Sequence, residues 1–294
     1  DGGDNNDDTV GGLLQLFPLE AIQEFAFVTS RSKAEFGRSQ GGVMNIVTKS
    51  GTNQYRGSWF TMFRDKSMNA TTQTETASDL PKQDYRRYQY GGSLGGPMIL
   101  DRIHYFAAFE RTQQDTRQAV DTLGLFPELD GVYDTPYRET LVTTKVTMNL
   151  SPKHFVSVRY GRNQNSQPYG ASPNSPPSSW GDSKNTFNSV NVNHNWVLGG
   201  SKLNEFIFQY ATFLNGISAN STDPAQAFPN GVYVGQSVNT PQMTNQKKWQ
   251  FRDDFSWHLT GGGGLGHDFK VGVNFINEPR LYVTFESGKG VMYY

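Results

Sequence analysis

Between Gln54 and Pro279, apolar and polar side chains alternate with a period of two over about nine stretches, each long enough for a strand. In His154–Tyr160, the residues His154, Val156, Val158 and Tyr160 share one face, and Ser157 and Arg159 take the other. In Val190–Leu198, Val190, Val192, Trp196 and Leu198 oppose Asn191, Asn193 and Asn195, whose amides are costly on a lipid-facing or dry surface. Phe206, Phe208, Tyr210 and Leu214 line the next stretch, and Phe269, Val271, Val273 and Phe275 line the last, against Lys270 and Asn274. Trp249, Phe251, Phe255 and Trp257 align in the same way, but Asp253 interrupts their row. A charge there calls for a bulge that resets the register, a place near a membrane interface, or an inverted facing.

The connections alternate in length. Tight links near Gly96–Arg102, Ser151–Lys153, Gly199–Ser201 and Gly261–Gly266 take turns with polar stretches at Asp65–Gln83, Asp121–Tyr137, Asn163–Asn185 and Ile217–Gln246. An up-and-down sheet with its short turns on one side and its long loops on the other is asymmetric about its middle plane. Outer-membrane β-barrels are built so, with short periplasmic turns and long extracellular loops. A soluble sandwich has no physical reason for the asymmetry. The pattern predicts an all-β fold, a partial transmembrane antiparallel barrel of about nine strands.

Composition agrees. The 294 residues hold 26 basic against 27 acidic side chains, a balance that argues against a nucleic-acid partner. There is no Cys, hence no disulfide and no thiolate metal site. No apolar run reaches the roughly 18 residues of a membrane helix, whereas a spanning strand needs only about ten with one apolar face. A chain opening at Asp1 without Met, and stopping at Tyr294 after a strand-like run, is expected to be an internal fragment of a longer protein.

The first fifth lacks this rhythm. Asp1–Asp8 is acidic and Asn-rich, expected as a solvated turn; Ile22–Ser30 and Val43–Lys49 read as short strands around the Gly-punctuated turn Lys33–Gly42. A boundary is expected near Gly51–Asn53. The pieces Ile22-Gln23-Glu24-Phe25, Ala34-Glu35-Phe36-Gly37-Arg38 and Gly41-Gly42-Val43-Met44-Asn45-Ile46-Val47-Thr48-Lys49-Ser50-Gly51 resemble, in order and spacing, the end of the plug domain of TonB-dependent outer-membrane receptors. Phe36 stands where Tyr is usual. Asn53–Asn69 with Gly91-Gly92-Ser93-Leu94-Gly95-Gly96-Pro97 is similar to the first barrel hairpin of the Oar-like subgroup, whose members also carry a carboxypeptidase-regulatory-like domain. The resemblance covers roughly the first 110 residues by motif and the rest by strand pattern.

That resemblance implies the C-terminal part of a plug over residues 1–52 and the N-terminal part of a barrel of about 22 strands over 53–294. It implies an active transporter in the outer membrane of a Gram-negative bacterium. Outer-membrane lipid surrounds it, and an extracellular substrate binds loops and plug. A TonB–ExbB–ExbD complex pulls on a segment upstream. Glu35, Phe36, Gly37, Arg38, Gly41, Gly42, Asn45, Thr48 and Lys49 are the plug residues it singles out, for structure and gating. Glu35 and Arg38 are expected to pair with each other or with wall residues, or to be a solvated surface pair.

Catalytic motifs fall away. Gly91–Gly95 fits G-x-S-x-G, but Pro97 and another strand follow where a helix is required. Gly261, Gly263 and Gly266 fit G-x-G-x-x-G, yet His267–Phe275 alternates as a strand. The five His stand far apart in sequence, without ligand spacing, and no cofactor is implied. Tyr55, Trp59, Phe60, Phe63, Tyr105, Phe106 and Phe109 suit interfacial girdles or wall packing. Tyr169, Trp180 and Tyr233 lie in long connections, where they can stack on a substrate or pack among themselves. Two other classes remain compatible with the strands: a passive porin or adhesin barrel, which leaves residues 1–52 unexplained, and a soluble β-sandwich carbohydrate-binding module, whose strand rows would face a common core.

Overall fold

The computed structural model describes residues 1–9, 11–29, 35, 37, 42–71, 76, 82–260, 266–286 and 290–294. A small hairpin comes first, β1 (Ile22–Val28) against β2 (Val43–Thr48). Then follow β3 (Arg56–Asp65), β4 (Tyr85–Ile99), β5 (Ile103–Val120), the short β6 (Gly131–Asp134), β7 (Tyr137–Ser151), β8 (His154–Tyr169), β9 (Gly181–Val197) and β10 (Lys202–Ala219). Short β11 (Ala225–Ala227) and β12 (Tyr233–Val234) precede β13 (Gln242–Thr260) and β14 (Gly266–Phe285), and β15 (Val291–Tyr293) is last. Nine long strands form one antiparallel sheet in the order β14-β13-β10-β9-β8-β7-β5-β4-β3, with β6 paired to β5. β11, β12 and β15 make a separate small sheet. Apart from β6 and the pair β11 and β12, which sit inside long connections, chain order is spatial order, and the fold is the expected all-β partial barrel.

Because partners in an antiparallel ladder share a face, the register fixes two opposite surfaces. On one, Val158 pairs with Val192, Val192 with Phe208, Phe208 with Phe251 and Phe251 with Phe275. That apolar row is open: Val271, Val273 and Phe275 are 60%, 65% and 58% exposed. The other surface is polar and covered, with Asn191, Gln209, Lys248 and Gln250 all buried. An apolar patch of this size on one side of a sheet is a surface built to meet something other than water.

The opening segment explains what covers the polar side. Glu20 meets Ser58 on β3, Ala21 packs on Phe106 and Ala108 of β5, and Asp1 meets Lys145 on β7 and Arg159 on β8. Gln15 accepts from Ser189 on β9, the Asp4 carbonyl accepts from Gln209 on β10, and Asp4 and Asp8 reach Lys248 on β13. Neighbouring strands lie about 4.8 Å apart, so so short a segment can touch strands from one edge of the sheet to the other only if the sheet curls round it. At Gly51 an added Cβ would lie 2.1 Å from the Tyr105 carbonyl oxygen, so this crossing from inner segment to wall has room for glycine alone.

Two local features follow from particular residues. Trp59 lies across from Gly92 and covers it; a Cβ there would come within 3.1 Å of the indole. In β14 the register slips between Lys247 and Trp249, opposite Glu278-Pro279, where proline cannot donate to the ladder. Asp253 has no such slip beside it. It pairs in continuous register with Phe206 and Val273, stands exposed on the apolar face, and accepts a hydrogen bond from Asn204 Nδ2 at 2.8 Å. Of the three alternatives for Asp253, no bulge resets the register and the facing is not inverted.

Of the aromatics expected in girdles, Trp59, Phe63 and Phe109 point outward. Phe106 is turned inward onto Ala21, and Phe60, one position from Trp59, faces the inner side with Gly91. Adjacent residues of a strand cannot both meet lipid.

A charge set in the middle of the outward row tests this facing. Val158→Arg is expected to lower stability in lipid vesicles by about 2–4 kcal/mol, and Asp253→Leu to raise it by on the order of 1 kcal/mol. Denaturant titration of the vesicle-inserted protein reads both; opposite signs would invert the sheet.

Candidate functional site

The site is the seam between the inner segment and the polar wall. A cavity of ≈ 770 Å³ runs along it, lined by Asp1 to Asp8, Gln15, Glu35, Gly37, Gly42 and, from the wall, Arg159, Gln209, Gln250, Arg252 and Asn274. The bases at the seam come from the wall and most of the acids from the segment, with Asp254 and Glu278 added from the wall.

Three contacts carry it. Asp1 lies 3.3 Å from Lys145 Nζ and 3.1 Å from Arg159 Nε, and its carboxylate also takes the Thr48 backbone N–H (3.0 Å) and hydroxyl (2.6 Å). Lys145 donates onward to the Thr48 carbonyl at 3.1 Å, so β2 is tied to β7 through one ammonium group. Lys248, 2% exposed, is held by Asp4 (2.9 Å), Asp8 (2.5 Å) and Glu278 (3.2 Å), and donates to the Asn6 carbonyl at 2.9 Å. Glu35 meets Arg252 at 2.7 Å and Lys270 at 2.5 Å, beside Asp254. Burial pushes the Glu35 carboxyl up, but the Lys270 hydrogen bond and the charges of Lys270 and Arg252 outweigh it and hold the group below its ordinary value of 4.5.

The opening acidic turn is therefore not the solvated turn its composition predicts. Asp7 is buried, Gln246 donates to it at 2.6 Å, and the lysine amine sits among the acids beside it. No group of three or more His, Cys, Asp or Glu among the described residues is placed to hold a metal ion.

Of the residues singled out in sequence, Glu35 pairs with the wall, Thr48 is buried against Asp1, and Lys49 lies 3.7 Å from Glu20. Gly37 and Gly42 line the cavity, and a Cβ on Gly42 would stand 3.1 Å from the Val28 carbonyl oxygen. Asn45 pairs with Ala26 and is exposed. Phe36, Arg38 and Gly41 lie outside the described residues.

At the other end of the strands, Trp180 is buried, donating from Nε1 to the Ser175 carbonyl at 2.7 Å and meeting Tyr133 edge-on at 6.0 Å. Tyr169 and Tyr233 are half-buried; the Tyr233 hydroxyl accepts from the Val238 N–H at 3.2 Å. Lys145, Arg159 and Lys248 escaped sequence reasoning. Their inward parity was readable, as stated for Arg159, but their partners in the opening segment, Asp1, Asp4 and Asp8, lie more than 100 positions away. The five His do not stay apart either: His154 and His194 come together on the outward face, ring nitrogens 3.0 Å apart, with Trp196 stacked on His154.

Residues 47–132 match the model of a family described as an outer membrane beta barrel domain. A stretch of 113 residues is 33% identical to the TonB-dependent transporter Oar of Myxococcus xanthus, covering 37% of this chain and 11% of that protein. The fold is similar to that of the outer membrane transporter YddB of Escherichia coli, with a TM-score of 0.68 at 14% identity over 87% of this chain and 35% of that one. The fold is thus that of an outer-membrane β-barrel, and residues 47–132 match that class by sequence. Within that class the chain resembles TonB-dependent transporters of the Oar kind, of whose length it spans a small part.

Lys248→Met leaves Asp4, Asp8 and Glu278 without their counter-charge and is expected to weaken docking of the segment by about 3–5 kcal/mol, read as faster protease cleavage within residues 1–9. A Glu35 carboxyl held low stabilises the contact fully above about pH 4.5 and loses that contribution as pH falls through the lowered value. Glu35→Gln should remove this acid response of a distance probe placed across the seam.

Proposed function

We propose that the chain is the heart of an energised outer-membrane transporter, in which residues 1–52 are the end of a plug and residues 53–294 begin its barrel. The observation that carries this is the seam itself, where a separate run of acids on the inner segment meets bases of the curled wall. Ion pairs across a polar, partly open seam can be broken and remade against competing polar groups, as a plug that shifts and returns requires. An apolar seam would resist any such movement. The relatives named above are transporters rather than enzymes, and their names supply the class of activity.

In this reading the short turns face the periplasm and the long connections the exterior. Substrate binds at those connections and at the inner segment's apex, with Tyr169 and Tyr233 offering partly open rings. A TonB–ExbB–ExbD complex, acting through a segment upstream of the plug, supplies the force, and the edges β3 and β14 ladder onto further strands of the same barrel. A passive porin leaves the seam without a purpose, and a sandwich is at odds with the open apolar face.

Two measurements on the full-length protein separate these readings. Deleting residues 1–52 is expected to open a large, steady conductance in planar bilayers; an unchanged trace would remove the plug assignment. Uptake of the substrate is expected to cease when the proton gradient is dissipated, and uptake indifferent to the gradient would leave a plugged but passive barrel.

A further inference from the structure

All five histidines lie at the short-turn ends of their strands, and the transport reading uses none of them. Two have ordinary polar partners: His104 meets the Asn53 side-chain oxygen at 2.7 Å, and His258 meets Asp268 at 2.7 Å. His154 and His194 have each other. His154 opens β8 beside the tight turn from β7, and His194 stands near the end of β9. In the ladder His154 faces Trp196 and Val156 faces His194, so the two imidazoles are diagonal neighbours on the outward surface.

Nδ1 of His154 and Nε2 of His194 are 3.0 Å apart, with the ring planes within 5° of each other. The Trp196 ring stacks on His154 at 5.5 Å and 20°, which restricts the rotation of that imidazole. Both histidines are half-buried, and among the described residues no carboxylate pairs with either. The first acid along the His194 row is Asp253, two strands on past Phe206, and Asn204 already holds it.

One N–H between two rigidly placed rings is a modest use of them. Neutral imidazole nitrogens are also ligands for borderline divalent cations. Ligand nitrogens about 2.0–2.1 Å from a metal lie about 2.9 Å apart when set at a right angle, and about 3.3–3.4 Å apart at the tetrahedral angle. The observed 3.0 Å is close to the first. Right-angled nitrogen sets belong to tetragonal copper(II) and nickel(II), and copper(II) stands highest in the order of divalent affinities. Small turns of the two rings, with the shared N–H moved to the far nitrogen of its ring, bring both lone pairs onto one point. No third side chain is needed, since the exposed turn residues Lys153 and Gly199 stand close in sequence and water has access.

We propose that His154 and His194 form a chelate for a divalent cation of the copper(II) type, with water in the other positions. The site goes beyond transport and requires only the register of β8 on β9. The chain joins these strands through residues 170–180 at their other end. At the short-turn end β8 continues from β7 and β9 leads to β10, and nothing covalent joins the two hairpins. A metal there staples one hairpin to the next.

The test uses the full-length protein, purified without a histidine tag and held in detergent, with copper(II) titrated against a weak competing chelator. The wild type is expected to give an axial electron paramagnetic resonance spectrum split by two nitrogens, together with quenching of Trp196 fluorescence. H154Q and H194Q should each weaken this binding by roughly tenfold or more and reduce the splitting to one nitrogen or none. W196F keeps both ligands, so it should bind within about threefold of the wild type while losing the quench. H267Q, on the outward face of β14, should match the wild type. Heat-shifted gel mobility in each variant separates a lost ligand from a lost barrel, and H194Q carries the test if H154Q loses that mobility. Equal copper binding by the wild type and H154Q/H194Q overturns the proposal. So does a wild-type spectrum without the two-nitrogen splitting.

Discussion

Everything in this structure depends on a sheet whose backbone polar groups are satisfied strand to strand, so that its apolar side can be turned away from water. In lipid an unpaired N–H or C=O costs several kcal/mol, and an up-and-down ladder is one of few ways to pair them all. Once the outward side is given to lipid, the inward side must be polar, and the usual order of a protein is reversed. The dry clusters are accordingly small: Leu14 with Phe187 and Ala211, and Ala21 with Phe106 and Ala108. Both are made between the inner segment and the wall.

With little apolar surface to share, the inner segment is held by charge and hydrogen bonds. Acids of the segment add to the wall's own acids, Asp254 and Glu278, around the same bases. The segment cannot leave without exposing charges that then need other partners. Burying an ion pair is a poor route to stability, but it makes a contact selective for one partner geometry. Lys248 shows the logic most fully, since its ammonium group reads three acids drawn from two parts of the chain.

The strands were legible because period two runs through most of each of them: Asn191 and Arg159 were readable as inward, and Val192 and Val158 as outward, from alternation alone. The hairpin Ile22–Val28 with Val43–Thr48 was legible by motif. What could not be read was pairing at long range. Lys248 and Asp4 are 244 positions apart, and nothing local marks the lysine as the acids' partner. His154 and His194 meet for the same reason, the register of β8 on β9. Between girdle and wall packing, strand parity turns Phe60 and Phe106 to the inner side and Trp59 and Phe109 outward.

One residue in β14 has reach out of proportion to its size. The extra position at Glu278-Pro279 shifts the phase of everything after it, so that Glu278 turns in toward Lys248 while Arg280 turns out beside Lys247. A strand in strict alternation could not serve both surfaces from neighbouring even-numbered positions. The extra residue thus moves the outward set of β14 from odd positions, Phe269 to Phe275, to even ones at Arg280. With Pro279 deleted, Glu278 would stand opposite Lys248 and Arg280 opposite Lys247 in plain alternation, so the ladder would close while both side chains kept their faces.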